Sequence, residues 1–331
     1  MDSAFLTGGT GFVGASLARL LLKQGLKVKA LARKGSDRRN LQGLDVEIVE
    51  GGLLDKDAIA SGVKGCRYVF HAAADYRIWI PDPESMYRTN VEGTDIVLRA
   101  GAKAGAEKLV HCSSVAAIKV PHDHKPVDET SDYGSLHEIV GHYKKSKFKA
   151  DLLARALTRE GLPVVVVNPA APIGPYDIKP TPTGKMVVDF LNGRIPSYID
   201  TGLNVVHVED VAMGHWLAAQ KGRLGERYIL GGDNLTLKEV LDILAEVTGL
   251  PGPKFKTPYA VAYAFAAADT AVARLRGTVP LAPLDAVRMA RHYMWYSSEK
   301  AKKELGYSPR PAKAALKDAA DWYRANGYVK A

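Results

Sequence analysis

Tyr143 and Lys147 lie four residues apart, a spacing that puts a phenol and an ammonium on one face of a helix. Such a pair can move a proton. A phenol has a pKa of about 10, and lowering it by about 3 units asks for roughly 4 kcal/mol of preference for the phenolate. An ammonium about 4 Å away in an effective dielectric near 20 supplies on the order of 4 kcal/mol. Spacing alone does not select the pair, because 15 tyrosines in 331 residues give about one Tyr-x-x-x-Lys by chance. Tyr296 with Lys300 is a second occurrence. Context separates them: Tyr143 begins a long helical pattern (143–159) ahead of a valine run (164–167), whereas Tyr296, in Met294-Trp295-Tyr296, is expected to be a half-buried packing aromatic. The strand pattern at 109–112 runs into Ser113-Ser114, at the carboxyl edge where open α/β sheets bind ligands. Ser114 is therefore the hydroxyl expected to hydrogen-bond a reacting oxygen beside Tyr143.

A glycine-rich turn, Thr7-Gly8-Gly9-Thr10-Gly11-Phe12-Val13-Gly14, follows the first strand pattern and opens the first helix. Gly8 and Gly11 allow tight turning and close backbone approach to a pyrophosphate, Gly14 allows helix to pack on sheet, and the helix N-terminus faces the anion. Thr10, Phe12 and Val13 are placed to line the same cradle. At the end of the second strand a carboxylate would hold a ribose diol and a cation a 2′-phosphate. Arg33-Lys34-Gly35-Ser36-Asp37-Arg38-Arg39 stands there, so NADP(H) is favoured, with Arg33 first, Lys34 beside it and Arg38 secondary; NAD(H) is the other option.

These groups need a scaffold that brings strand ends together. Strand patterns at 4–6, 28–32, 46–49, 68–71, 109–112 and 164–167 alternate with helical patterns at 13–23, 56–63, 85–104 and 143–159, with Gly25, Gly105 and Gly161 placed as caps. This is the rhythm of βαβ units, and it predicts an α/β fold with a Rossmann-type, doubly wound parallel sheet. Residues 1–174 are expected to form a dinucleotide-binding domain to which 204–230 returns as strand, helix and strand. Residues 175–203 and 231–331, richer in Pro and Gly and mostly helical, are expected to form a smaller substrate-binding lobe. Within it, 258–275 is read as a core helix, the other option being a helix resting on a membrane surface.

With 47% hydrophobic and 24% charged residues, disorder, collagen and coiled coil are excluded. Two cysteines, Cys66 and Cys112, are too few for a disulfide framework or a Cys-rich zinc site and suit a reducing cytoplasm. No run approaches the roughly 18 apolar residues of a membrane span, and the first six residues leave no room for a secretory leader. The net charge is +9, and 300–331 carries eight Lys/Arg against three acids. That tail has the pattern of an amphipathic helix with a solvated basic face and lacks nucleic-acid signatures, so no nucleic-acid partner is expected. Asp123 and His124 with His122 lack further ligands at metal spacing, so no metal is expected. His207 is expected to be a satisfied buried histidine, His71 to meet a cofactor through its backbone alone, and Cys112 to pack in the core.

The chain resembles the extended short-chain dehydrogenases/reductases, and along nearly its whole length the hopanoid-associated sugar epimerases, which in turn resemble dihydroflavonol 4-reductases. The likeness is carried by Thr7 to Gly14, Ser36 to Leu41, Ala73-Ala74-Asp75-Tyr76-Arg77, Asn90-Val91-Glu92-Gly93-Thr94, Gly141 to Lys147, Pro172-Ile173-Gly174-Pro175, Thr181-Pro182-Thr183-Gly184 and His207-Val208-Glu209-Asp210-Val211. The resemblance implies that Ser114, Tyr143 and Lys147 form a catalytic triad, with Tyr143 and Lys147 also meeting the cofactor. It further implies that Ala72, Ala73 and Ala74 line the cofactor, that Asn168, Pro169 and Ala170 support the nicotinamide, and that Asn90 is a structural or proton-relay residue. Two departures stand out. Gly51-Gly52-Leu53 replaces the usual Gly-Asp-Leu, so Leu53 offers the adenine only backbone, and Ala170-Ala171 replaces Ser-Thr on the substrate side. Tyr76, Ser114 and Asn168 are the expected substrate contacts. The implied activity is NADP(H)-dependent hydride transfer between nicotinamide and a carbonyl or secondary alcohol. The alternatives are a sugar epimerase linked to hopanoid lipids and an idle dinucleotide sensor or scaffold. A small carbonyl, alcohol or sugar substrate, at most peripheral membrane contact, and a homodimer fit the resemblance.

Overall fold

The computed structural model describes residues 2–80, 82–121 and 123–329. Its first half follows the βα rhythm: β1 (Ser3–Thr7), α1 (Phe12–Lys23), β2 (Lys27–Ala32), β3 (Val46–Glu50), α2 (Lys56–Val63), β4 (Tyr68–His71), α3 (Pro83–Tyr87), α4 (Gly93–Lys103), β5 (Lys108–Cys112), α5 (His142–Arg159) and β6 (Val164–Pro169). All six expected strands are present. The one long helix expected over 85–104 is instead α3 and α4 joined by a π-helical turn, Arg88–Glu92, a distortion that turns a side chain off the regular helical stripe.

The second half holds β7 (Ala171–Ile173), α6 (Pro182–Leu191), β8 (Ser197–Tyr198), β9 (Gly202–His207), α7 (Val208–Lys221), β10 (Arg227–Leu230), β11 (Asp233–Thr236) and α8 (Leu237–Thr248). They are followed by β12 (Phe255–Lys256), α9 (Tyr259–Arg276), α10 (Leu284–Met289), β13 (Tyr293–Met294), α11 (Glu299–Leu305) and α12 (Ala312–Ala325).

Seven strands form one parallel sheet in the order β10-β6-β5-β4-β1-β2-β3. This is the doubly wound Rossmann-type α/β arrangement. Because side chains alternate across a strand, Ala4, Leu6, Tyr68, Phe70, Val165 and Val167 meet α1, α7 and α11 on one face. Phe5, Val69, Leu109, Val164 and Val166 meet α2, α4 and α5 on the other. Strands buried on both faces read as continuous apolar runs, which is why 164–167 is four valines. The chain reverses direction across the sheet between β1 and β4, opening a crevice at their carboxyl ends.

The segment 204–230 returns to this sheet only in part. Both edges of β6 are taken, by β5 and β10, so β9 pairs instead with β7, β11 and β13 in a second sheet. A second core of α6, α8 and α12 packs there around Val187, Leu241, Leu316 and Tyr323. The reading of 258–275 as a core helix is corrected. Only Ala266, Thr270 and Ala273 of α9 are buried, because small side chains allow α9 to lie close on its neighbours while the larger ones point away. Among the described residues no helix is long and apolar enough to cross a membrane.

Candidate active site

Three structural devices converge on the crevice between β1 and β4. The first is the turn after β1. Gly8 has φ +81°, and a Cβ there would stand 2.7 Å from the Ala73 amide nitrogen. A Cβ on Gly14 would lie 2.0 Å from the Gly8 carbonyl oxygen. No side chain caps the first turn of α1, and over Gly11 a Cβ would meet only the Gly8 carbonyl oxygen, at 3.3 Å. Free amides and open backbone are what a pyrophosphate needs, so the residues present fit a dinucleotide. Phe12 is buried and Val13 half-buried at the start of α1, while the Thr10 carbonyl accepts a hydrogen bond from Asn40 at 3.2 Å.

The second device ties β4 to this turn. The Thr7 hydroxyl accepts from the Ala73 amide at 3.2 Å and bonds His71 Nδ1 at 2.7 Å, and His71 Nε2 bonds Thr94 at 3.0 Å. Ala72 and Ala73 are thereby held against the backbone of Gly8. His71 is fully buried, and burial pushes its imidazole down to about 3, so it stays neutral. Asn90, on the π-helical turn, accepts from the Asp75 amide at 2.7 Å and donates to the Asp75 carbonyl and to Ser146, each at 2.9 Å. It clamps the loop after β4 to α5.

The third device is the end of β5 against α5. Tyr143 Oη donates a long hydrogen bond, 3.5 Å, to Ser114 Oγ, which also accepts from the Ala116 amide at 3.1 Å. Lys147 is buried and donates to the Cys112 carbonyl at 2.8 Å. The phenol, the hydroxyl and the ammonium thus meet at the carboxyl edge of β5. The expected electrostatics are corrected in one respect. Burial holds the Tyr143 phenol above its ordinary value, only partly offset by Ser114, and burial likewise lowers Lys147, whose ammonium is turned to a backbone carbonyl.

Asn168 is corrected as a substrate contact. Its side chain is fully buried and donates to the Ser114 carbonyl and to Asp151 Oδ1, each at 3.0 Å, so it props the strand end that carries Ser114. Pro169 is buried and the Ala170 amide bonds the Leu230 carbonyl at 3.1 Å. Asp151 was not singled out by sequence. It is wholly buried on α5 and accepts from Ser113 at 2.7 Å, Asn168 at 3.0 Å and Arg155 at 2.9 Å, with Arg227 at 3.5 Å. Its only sequence signal is its place one turn beyond Lys147 on the same face.

Arg33 and Lys34 are exposed past β2, and among the described residues neither has an ion-pair partner. Arg38 pairs with Glu50 at 3.0 Å, and Asp37 is held by Arg39 at 2.7 Å, which keeps its carboxyl down at about 2. Leu53 packs on α4 where a Cβ on Gly93 would meet it at 3.1 Å. Tyr76 is exposed on the loop after β4. A cavity of about 400 Å³ adjoins the start of α5, lined by Lys119, Val120, Tyr133, Lys144, Met289 and Met294 among others. Burial lowers the Lys144 ammonium to about 8.

The remaining candidates fall outside. Tyr296 is buried, not half-buried, among Ile118 and Ile229, and Lys300 pairs with Glu226 at 2.5 Å. His207 caps α7 by accepting from the Glu209 amide at 3.1 Å and bonds Asp318 at 3.2 Å. Cys112 carries a thiol raised by burial to about 11. His122 lies outside the described residues.

Residues 4–231 match the NAD dependent epimerase/dehydratase family. A Synechocystis sp. protein provisionally named dihydroflavonol 4-reductase is 45% identical, the match covering 99% of this chain and 96% of that one. The 4-hydroxy-2-methyl-3-oxo-4-farnesyl-3,4-dihydroquinoline-1-oxide ketoreductase of Stigmatella aurantiaca is 31% identical over 92% of each chain. The crystal structure of PA4631, a nucleoside-diphosphate-sugar epimerase from Pseudomonas aeruginosa, superposes with a TM-score of 0.82 at 27% identity over 99% of both chains. A dinucleotide cradle at β1, a phenol and hydroxyl at the end of β5 and a family match across both make this chain a member of the NAD dependent epimerase/dehydratase family and an NAD(P)-dependent oxidoreductase.

Proposed function

We propose that the protein is an NADP(H)-preferring reductase of a carbonyl compound, with Tyr143 as proton donor, Ser114 as the hydroxyl that orients the reacting oxygen, and Lys147 as the cation bordering both. The observation that carries this reading is the meeting of Tyr143 Oη and Ser114 Oγ at the carboxyl edge of β5. The Gly8 to Gly14 turn would hold the pyrophosphate, and Arg33 with Lys34 the 2′-phosphate. When bound, the nicotinamide supplies hydride to the carbonyl carbon or takes it back from the alcohol.

The chain's own residues handle the proton. A phenol raised by burial is protonated at neutral pH, the form required of an acid that gives its proton to the developing alkoxide. Ser114 holds that oxygen in register with Tyr143. Lys147, one turn along α5 with its ammonium on the Cys112 carbonyl, places a cation at the same strand end, and Asn168 and Asp151 act as positioning residues by keeping Ser113 and Ser114 there. The cavity beside α5, with Val120, Met289 and Met294 in its wall together with Lys119, Glu138, Lys144 and His292, suits a substrate that joins an apolar part to a polar one.

The test is turnover of NADPH against a panel of ketones and aldehydes by the wild type and by Tyr143→Phe. The wild type should consume NADPH, and the variant should bind NADPH equally well and lose turnover. An undiminished rate in the variant would refute the assignment. Tight retention of cofactor through purification, with no net NADPH consumption, would favour epimerisation instead.

A further inference from the structure

α9 is built inside out. Ala266, Thr270 and Ala273 are buried against the protein, Tyr263 and the alanines at 260, 264, 268 and 271 are accessible, and Val261, Phe265, Val272 and Leu275 form the most exposed apolar set. The exposed set recurs at steps of four, seven and three, a single stripe along a helix about 27 Å long. Phe265 is 57% and Leu275 88% accessible. The stripe continues past the helix into a loop that presents Val279 and Leu281, the latter 86% accessible. That loop is held in place: the Ala282 amide donates to Asp269 at 2.8 Å and the Leu284 amide to Thr270 at 3.0 Å. A run of large apolar side chains held outward on a fixed frame marks a surface that another apolar phase covers.

We propose that this face docks on the surface of a bilayer containing anionic lipid. The charges decide the occupant. Arg274 and Arg276 sit about 100° to either side of Leu275 around the helix, and Lys254 precedes the N-terminal end. All three are exposed, and none has an ion-pair partner among the described residues. The helix's single acid, Asp269, is turned to the Ala282 amide. Cations flanking an apolar stripe can reach lipid phosphates while the stripe enters the acyl boundary. A second copy of the chain would be a poor cover. In an isologous contact, antiparallel helices bring Arg274 and Arg276 toward the partner's basic N-terminal end, and parallel ones bring them against their counterparts; like charges meet either way. α9 leads into α10, whose Asp285 lies 3.2 Å from where a Cβ on Gly141 would stand, just ahead of Tyr143. The docked helix is thus linked through α10 to the residue that precedes the active-site helix.

The experiment is flotation of the full chain with phosphatidylcholine vesicles and with vesicles that also contain phosphatidylglycerol. The chain should float with the anionic vesicles, less so as salt rises. Phe265→Ser/Leu275→Ser/Leu281→Ser and, separately, Arg274→Glu/Arg276→Glu should each weaken binding about tenfold or more, with NADPH binding unchanged as the measure of an intact fold. The charge variant decides should the apolar variant fail to fold. No flotation of the wild type, or equal flotation of the charge variant, would overturn the proposal. So would a concentration-dependent dimer that both variants dissolve, which would assign the face to self-association.

Discussion

Arg33→Ala separates the two cofactors more sharply than any other change. β2 ends at Ala32, so Arg33 is the first side chain beyond the strand, exposed and unpaired among the described residues. Its neighbours are engaged: Arg38 by Glu50 at 3.0 Å, and Asp37, the acid that would serve a ribose diol, by Arg39 at 2.7 Å. A guanidinium about 4 Å from one phosphate charge gains roughly 1 kcal/mol in bulk water and about 4 kcal/mol near a protein surface. Arg33 is exposed, so the lower part of that range applies, about 1–2 kcal/mol, or roughly 5- to 30-fold in an equilibrium constant. The assay is kcat/KM for NADPH and for NADH at low and at high salt. NADPH should lose that factor in Arg33→Ala, NADH should be unaffected, and the gap between variant and wild type should narrow as salt screens the pair. Equal losses with both cofactors, or a wild type that prefers NADH, would refute the reasoning.

Asp151→Ala removes the buried carboxylate shared by Ser113, Asn168, Arg155 and Arg227 and should cost about 3–5 kcal/mol, or roughly 4–7 °C in Tm for a chain of this length, with Asp151→Asn milder; an unchanged melting curve would show that Asp151 is not the tie between β5, β6 and α5. Tyr296→Phe, the control for the other Tyr-x-x-x-Lys pair, removes only a 3.4 Å bond to the Val115 carbonyl, so kcat should stay within about twofold of wild type. Three buried histidines make the fold acid-sensitive. Burial holds His71 at about 3, His215 at about 4 and His111 well below its ordinary value. Unfolded, each takes a proton near pH 6.5, so the unfolded state binds more protons below that pH. Stability is full above about 6.5 and falls as pH drops toward 4, with a slope approaching roughly 4 kcal/mol per pH unit for three protons. Urea midpoints between those limits measure the slope, and His111→Leu should remove about a third of it.

What the sequence disclosed and what it hid divide along the reach of the interactions concerned. The six strands and their helices were legible because burial on two faces demands uninterrupted apolar runs, as in Val164 to Val167, and burial on one demands a helical stripe. That Tyr143 and Lys147 would stand near Ser114 was legible from their context, a helix start and a strand end, while the spacing alone matched Tyr296 and Lys300 equally well. The role of Asp151 and the inward turn of Asn168 were not, since their partners on other elements lie from 17 residues away, between the two, to 76 for Asp151 and Arg227; only the assembled sheet shows that Asn168 donates to the Ser114 carbonyl. The π-helical turn escaped for the same reason, its purpose being to aim Asn90 at Asp75 and Ser146. α9 was misjudged from the other direction. An Ala-rich helix with scattered large apolar residues has two usable faces, and hydrophobicity favours burying the large one. Close approach favours the small one, because alanines let the helix backbone lie against α10 and let Asp269 and Thr270 bind the returning loop. Local composition cannot decide that competition; the hydrogen bonds made from the small face can, and they leave the large side chains outward with cations on either flank.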